Sequence, residues 1–222
     1  VNASDGRLIV LVGPSGSGKT TLARALIGAD PTRRGFSVSH TTRPRRDGER
    51  DGVDYSFVER ARFEAMVQDG AFVEWAEVHG NLYGTSRAAI TDMLAAGRDV
   101  LFDVDIQGAE AIYRAFESRT QLIFVVPPTW HALVDRLVRR KSESEQTLRR
   151  RLKTARVELA RVIAESDRGV PWTCLVNDDL DAAREALESL VRSPRPAMTG
   201  GHRELLGAML QGAQADPRSA TA

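Results

Sequence analysis

The sequence predicts an α/β fold, a P-loop NTPase-type parallel sheet with helices on both faces. Three observations predict it. Residues 8–12, Leu-Ile-Val-Leu-Val, are an uninterrupted apolar run, the pattern of a strand buried on both faces. That run passes through Gly13-Pro14-Ser15-Gly16-Ser17-Gly18-Lys19-Thr20 into a helical segment at 21–27. Beyond it, apolar runs and helical periodicities alternate as far as residue 191, which implies parallel strands joined by helices.

The eight-residue stretch fits the P-loop pattern, two glycines five apart followed by Lys and a hydroxyl residue. Gly13, Gly16 and Gly18 let the backbone close round a phosphate, with Pro14, Ser15 and Ser17 completing the loop. The helix entered at Lys19, Thr20 and Thr21 turns its positive end to the same anion. Lys19 carries a full charge to the outer phosphates, and the Thr20 hydroxyl suits a magnesium ion. The chain is read as binding a nucleoside triphosphate.

Each element follows in order. A short strand is expected at 35–39, then a polar, charged stretch to residue 53. Residues 54–58 read as a strand and 59–68 as a helix with Phe63, Met66 and Val67 inward. Residues 72–78 alternate apolar and polar, a half-exposed strand, and 78–85 are turn-rich. These short, half-polar strands break the rhythm, so residues 39–85 are expected to form a small inserted lobe. Helix is expected at 87–96, an apolar strand at 100–105 ending in Asp103 and Asp105, helix at 106–116 and strand at 121–126. The helix at 130–140 places Trp130, Leu133, Val134, Leu137 and Val138 on one face. A charged break at 141–145 precedes a helix running to about 164, a strand at 173–176 and a helix at 180–191. From Ser193 onward Pro, Gly, Ala and Ser dominate. Helical spacing recurs through Leu205, Leu206, Met209 and Leu210, but a disordered tail over 193–222 is expected, so that ending the chain at Ser193 changes neither activity nor melting.

Composition narrows the function classes. The 222 residues are enough for one domain with a buried core. A net charge of +1 gives no global pull toward nucleic acid or a membrane surface. No run approaches a membrane span, no signal peptide precedes the first strand, and a reducing cytoplasm is the expected setting. His40, His79, His131 and His202 lack metal-ligand spacing, and the single cysteine, Cys174, sits in an apolar run as a buried structural thiol.

Three further clusters carry chemistry. Asp103 closes an apolar strand downstream of the P-loop, in the manner of a carboxylate that helps hold magnesium. Thr41-Thr42-Arg43-Pro44-Arg45-Arg46 with Tyr55 offers guanidinium forks and a phenol to a phosphate monoester; the interleaved acids Asp47, Glu49, Asp51 and Asp54 argue against a polyanion. Arg136, Arg139 and Arg140, then Arg149 to Arg151 across the charged break, can bring cations onto phosphates as a lid. By helical spacing Arg149 and Arg151 flank the Leu148-Leu152-Leu159 stripe, while Arg150 points away into water.

Taken together the chain resembles a guanylate kinase from about Arg7 to Val191, and a guanylate kinase-like domain is expected over 7–192. The resemblance rests on GPSGSGKT, SVSHTTRPRRDGERDGVDYSFV, FVEWAEVHGNLYGTS, LFDVDIQG, RRKSESEQTLRRRL and VNDDL in that order. It implies a parallel-sheet core, a GMP-binding lobe at about 39–85, a mobile lid at about 140–151, and transfer of the γ-phosphoryl group of Mg·ATP to GMP. It also implies that Ser39, Arg43, Arg46, Tyr55 and Tyr83 hold the GMP phosphate, with Lys19 and Arg46 among the catalytic cations. Glu74, Thr85 and Asp105, with Gly84 beside them, read the guanine. Arg136, Arg140 and Arg151 close on the phosphates, Asn177 lies near the adenine, and Thr20 with Asp103 serves the metal. The partners implied are ATP and GMP, with no nucleic acid or membrane and a monomer favoured. Thr85 stands where serine is commoner, and Lys141 where a small or polar residue is usual. Two other readings stay open: a non-catalytic phosphopeptide-binding module of the same fold, and a related kinase with another small phosphorylated acceptor.

Overall fold

A computed structural model describes residues 6–78, 80–139, 144–193 and 198–219. The core is a five-stranded sheet ordered β2-β7-β1-β8-β9, from β1 (Leu8–Val12), β2 (Arg34–Phe36), β7 (Asp99–Asp103), β8 (Thr120–Val126) and β9 (Trp172–Val176). All four pairings are parallel, as the buried apolar runs predict. Because strand side chains alternate between faces, Leu8, Val10 and Val12 enter one core and Ile9 and Leu11 the other. The second core is closed by α1 (Lys19–Ala29) and α7 (Leu180–Arg192). The first lies under α3 (Arg87–Ala95), α4 (Ile106–Phe116), α5 (Trp130–Arg139) and α6 (Glu145–Asp167). Val138, expected on the buried face of α5, is 53% exposed, because the apolar stripe of that helix ends at Leu137.

The break in rhythm is a second sheet, ordered β4-β3-β6-β5. It comprises β3 (His40–Thr41), β4 (Ser56–Phe57), β5 (Phe72–Val78) and β6 (Asn81–Ser86), with α2 (Arg60–Gln68) packed on it. The turn-rich stretch after residue 78 is in fact mostly β6, which returns antiparallel to β5. Phe63 stacks on Phe72 at 4.5 Å and both press on Gly84, where a Cβ would come within 2.9 Å of the Phe63 ring.

The tail departs from expectation. Residues Gly200–Ala215 form a helix, α8, with a capping box between Thr199 and His202. Leu206, Met209 and Ala213 are buried against the α5–α6 side of the core. Trp130 donates its indole N–H to Asp216 over 3.1 Å, and Arg203 bonds to Asp167 and to the Ser166 carbonyl. Arg218 beside Asp216 holds that carboxyl down at about 2, so it is an ionised acceptor. A composition-based reading undervalued this segment because its few apolar residues share one helical face and meet a ready-made apolar surface. Burying Leu206 and Met209 contributes about 1.5–3 kcal/mol each, partly offset by the cost of ordering the helix. Ending the chain after Ser193 should therefore lower the melting temperature by roughly 5–10 °C, read by calorimetry. An unchanged melting temperature would mean that α8 does not dock in solution.

Candidate active site

The P-loop leaves β1 at the carboxyl edge of the sheet, between β7 and β8, where open α/β sheets place their ligands. Gly13 has φ 144°, and a Cβ there would lie 2.1 Å from the Val125 carbonyl oxygen, so the loop needs glycine to pass β8. Ser17 is buried and Gly18 precedes α1, with φ 93°. Lys19 folds back over the loop, its Nζ donating to the Gly13 carbonyl at 2.6 Å and to that of Pro14 at 3.4 Å. Thr21 faces solvent. Register pairs Leu11 with Asp103, so the strand-end acid stands beside the loop, and the Thr20 hydroxyl donates to the Asp103 carboxylate.

Two hard oxygen donors thus meet at one point, a donor set that fits Mg²⁺. Among the described residues no group of three or more His, Cys, Asp or Glu side chains is arranged to hold a metal ion. Such an ion would take its remaining ligands from phosphates and water, as magnesium usually does.

Several of the residues expected to hold a phosphate monoester lie on or beside the small sheet. Register sets Thr41 opposite Tyr83, the Tyr55 and Tyr83 rings lie 6.1 Å apart, and the Arg43 guanidinium is 5.5 Å from the Tyr55 ring centre. The Ser39 carbonyl accepts from Ser56 N–H at 2.9 Å, anchoring this corner. Glu49, read in the sequence only as one of the acids that argue against a polyanion, binds Arg43 at 2.7 Å and accepts from the Arg46 backbone N–H at 2.8 Å. Its hydrogen bond from Arg43 is the main cause holding its carboxyl below the usual range. Glu49 therefore occupies part of the arginine fork, and the Arg46 side chain is exposed.

Glu74 and Thr85 pair across β5 and β6, and the Thr85 hydroxyl donates to Glu74 Oε1 at 2.5 Å. That hydroxyl, expected to read a base, here donates to Glu74 and so also orients it. Burial pushes the Glu74 carboxyl up, the Thr85 bond pulls it down, and nearby Asp105 pushes it up again. Asp105 also caps α4, accepting from Gly108 N–H at 2.8 Å.

Arg151 reaches the P-loop, donating to Ser15 Oγ at 2.8 Å, whereas Arg136 donates to the Asp178 carbonyl at 3.1 Å. Arg140 and Lys141 lie outside the described residues. Arg150 is exposed as expected, yet it borders the cleft with Arg151. Asn177, expected near adenine, is buried and donates to the Ser17 carbonyl at 2.7 Å; it braces the loop from below. Burial pushes the Cys174 thiol up to about 12, so it is inert.

Glu158 was missed. It lies on α6 and lines a cleft of about 350 Å³ with Gly13, Lys19, Asp103, Asp105 and Arg151. Its sequence signal was an acid seven residues beyond Arg151, hence on the same helix face.

The parallel sheet and the glycine loop at its carboxyl edge define a P-loop nucleotide-binding protein. A family model described as "Guanylate kinase" matches residues 5–194. The guanylate kinase of Thiobacillus denitrificans is 48% identical over 193 residues, covering 87% of this chain and 88% of that protein. That of Anaeromyxobacter dehalogenans is 47% identical over 190 residues, covering 86% and 81%. The crystal structure of guanylate kinase from Anaplasma phagocytophilum superposes with a TM-score of 0.63 at 30% identity, covering 91% of this chain and 94% of that one. The chain belongs to the guanylate kinase family.

Proposed function

We infer that the chain is a guanylate kinase, transferring the γ-phosphoryl group of ATP to GMP, and to dGMP through the same base contacts, to give ADP and the diphosphate. One observation carries the reading. Asp105 lines the cleft with Lys19 and also acts electrostatically on Glu74, so one carboxylate belongs to both the triphosphate site and the candidate base site.

In this reading the acceptor is a phosphate oxygen, already anionic near neutral pH, and no strong general base is required. The protein must suppress repulsion between two polyanions, hold them in line and exclude water. Gly13 to Thr21 wrap the triphosphate, and Lys19 and Arg151 neutralise it, joined by Arg136 and Arg140 when residues 140–151 close as a lid. Ser39, Arg43, Arg46, Tyr55 and Tyr83 hold the GMP phosphate, displacing Glu49 from the arginine fork. Glu74, fixed by Thr85, and Asp105 accept from the guanine N–H groups beside Gly84. Thr20 and Asp103 would hold Mg²⁺, which when bound screens the phosphate charge. Asn177 acts on the nucleotide through the loop it braces. The substrates need neither nucleic acid nor membrane, and the setting proposed is the cytoplasm. Among the described residues no helix is long and apolar enough to cross a membrane.

A coupled assay of ADP formation with ATP and GMP, AMP, UMP or CMP tests the reading. GMP should be used at least roughly 100-fold better in kcat/KM, since sites built to hydrogen-bond a base reject one lacking the matching groups. Phosphopeptide binding without turnover would favour the non-catalytic module, and equal use of AMP another acceptor.

A further inference from the structure

One carboxyl group in the cleft has no part in the mechanism above. Glu158 lies midway along α6 and is only 8% exposed. Its Oε2 atom is buried and meets no hydrogen-bond partner among the described residues. Arg151, two helical turns earlier on the same face, bonds to Ser15 of the P-loop. That face of α6 therefore presents a guanidinium and then a carboxyl to the loop that would hold the triphosphate. A buried polar oxygen without a partner is destabilising unless a ligand or proton arrives to satisfy it.

The charged groups facing this cleft come from four elements. Lys19, at the P-loop end of α1, favours the ionised carboxylate; Asp103, at the end of β7, and Asp105, at the cap of α4, add negative charge; Arg150 and Arg151 sit on α6 itself. Burial is the dominant influence and pushes the Glu158 carboxyl up to about 7, with Lys19 opposing and Asp105 assisting. Before a nucleotide enters, the Glu158 carboxyl therefore titrates close to neutral pH. Entering phosphates bring further negative charge and engage Lys19, so both changes favour the neutral acid.

We propose that Glu158 is a further nucleotide-binding residue, which takes up a proton from solvent as the triphosphate enters and donates it, as the neutral acid, to a phosphate oxygen. The proposal rests on the ATP reading of the P-loop. A carboxylate that stayed ionised there would set one anion against another in a confined cleft. A neutral carboxyl supplies a donor and satisfies the orphaned oxygen. Because the bound form holds its proton more tightly than the free form, binding is favoured at low pH, and affinity falls as pH rises through about 7.

The test is calorimetric titration with a non-hydrolysable ATP analogue and saturating Mg²⁺, at pH 7, in buffers of different ionisation heat. Wild type is compared with Glu158→Gln, which keeps a donor but cannot titrate. Proton loss from the analogue itself is common to both proteins, so the difference reports Glu158. Wild type should take up a measurable fraction of a proton more than the glutamine variant. The variant should bind within about threefold of wild type at pH 7 and escape the roughly 10-fold fall that wild type shows relative to it by pH 8.5. Glu158→Ala, with no donor, should bind about 10- to 150-fold more weakly. Equal proton counts, or a folded glutamine variant as weak as the alanine one, would overturn the proposal. If the glutamine variant fails to fold, wild-type affinity alone decides, and a rise between pH 7 and 8.5 overturns it. Failure of the analogue to bind wild type would refute the P-loop reading itself.

Discussion

Lys19→Ala should lose about 10²- to 10³-fold in turnover while the protein stays folded, the size of effect seen when one preorganised charge is removed from a transition state. The Lys19 ammonium is held over the loop by the Gly13 and Pro14 carbonyls, at the cleft shared with Asp103 and Asp105. As negative charge moves toward the bridging oxygen, a cation placed there matters more than in the ground state. The core side of α1 is made by Leu22, Ala23 and Leu26, which the substitution leaves alone. Melting should therefore change little, and kcat should fall further than substrate affinity. Steady-state kinetics with a parallel thermal melt decide it. Near-normal turnover would show that this loop does not handle the transferred phosphate.

Glu74→Gln should weaken use of GMP by roughly 10- to 150-fold in kcat/KM, the worth of one charge-assisted hydrogen bond. Guanine presents N–H donors at N1 and the 2-amino group, and a carboxylate is an acceptor only. An amide can turn its own donor toward those donors, and the Thr85 hydroxyl that orients Glu74 loses its ionised acceptor. Affinity for ATP measured without GMP should barely move, because the substitution lies on β5, in the smaller sheet. Since burial raises the Glu74 carboxyl, the wild-type preference for GMP should decline as pH falls through that raised value, where the acceptor is lost. Kinetics with GMP and AMP across acidic pH measure both effects. Unchanged GMP kinetics in the variant would mean that Glu74 does not contact the base.

Alternation and spacing by themselves determined the elements of the core and its nucleotide loop. An apolar run as short as Leu8 to Val12, ended by Gly13 and Pro14, reads as a strand buried on both faces, and a loop of Gly13, Gly16 and Gly18 before Lys19 and Thr20 is legible because each residue's role depends on its neighbours in sequence. Asp103 was legible for the same reason, as the polar end of an apolar strand. What depended on partners distant in the chain was decided only by the tertiary structure. The apolar face of α8 was visible in Leu206 and Met209, but whether it is buried depends on the surface offered by α5 and α6. The Asn177 amide is fixed by the Ser17 carbonyl, 160 residues away, which sequence spacing cannot reveal. Glu158 reads locally as one more charge on a charged helix, and its burial beside Lys19 exists only once α6 is laid along the P-loop. Local periodicity reports which side of an element is apolar, whereas desolvation and pairing of polar groups depend on what packs there.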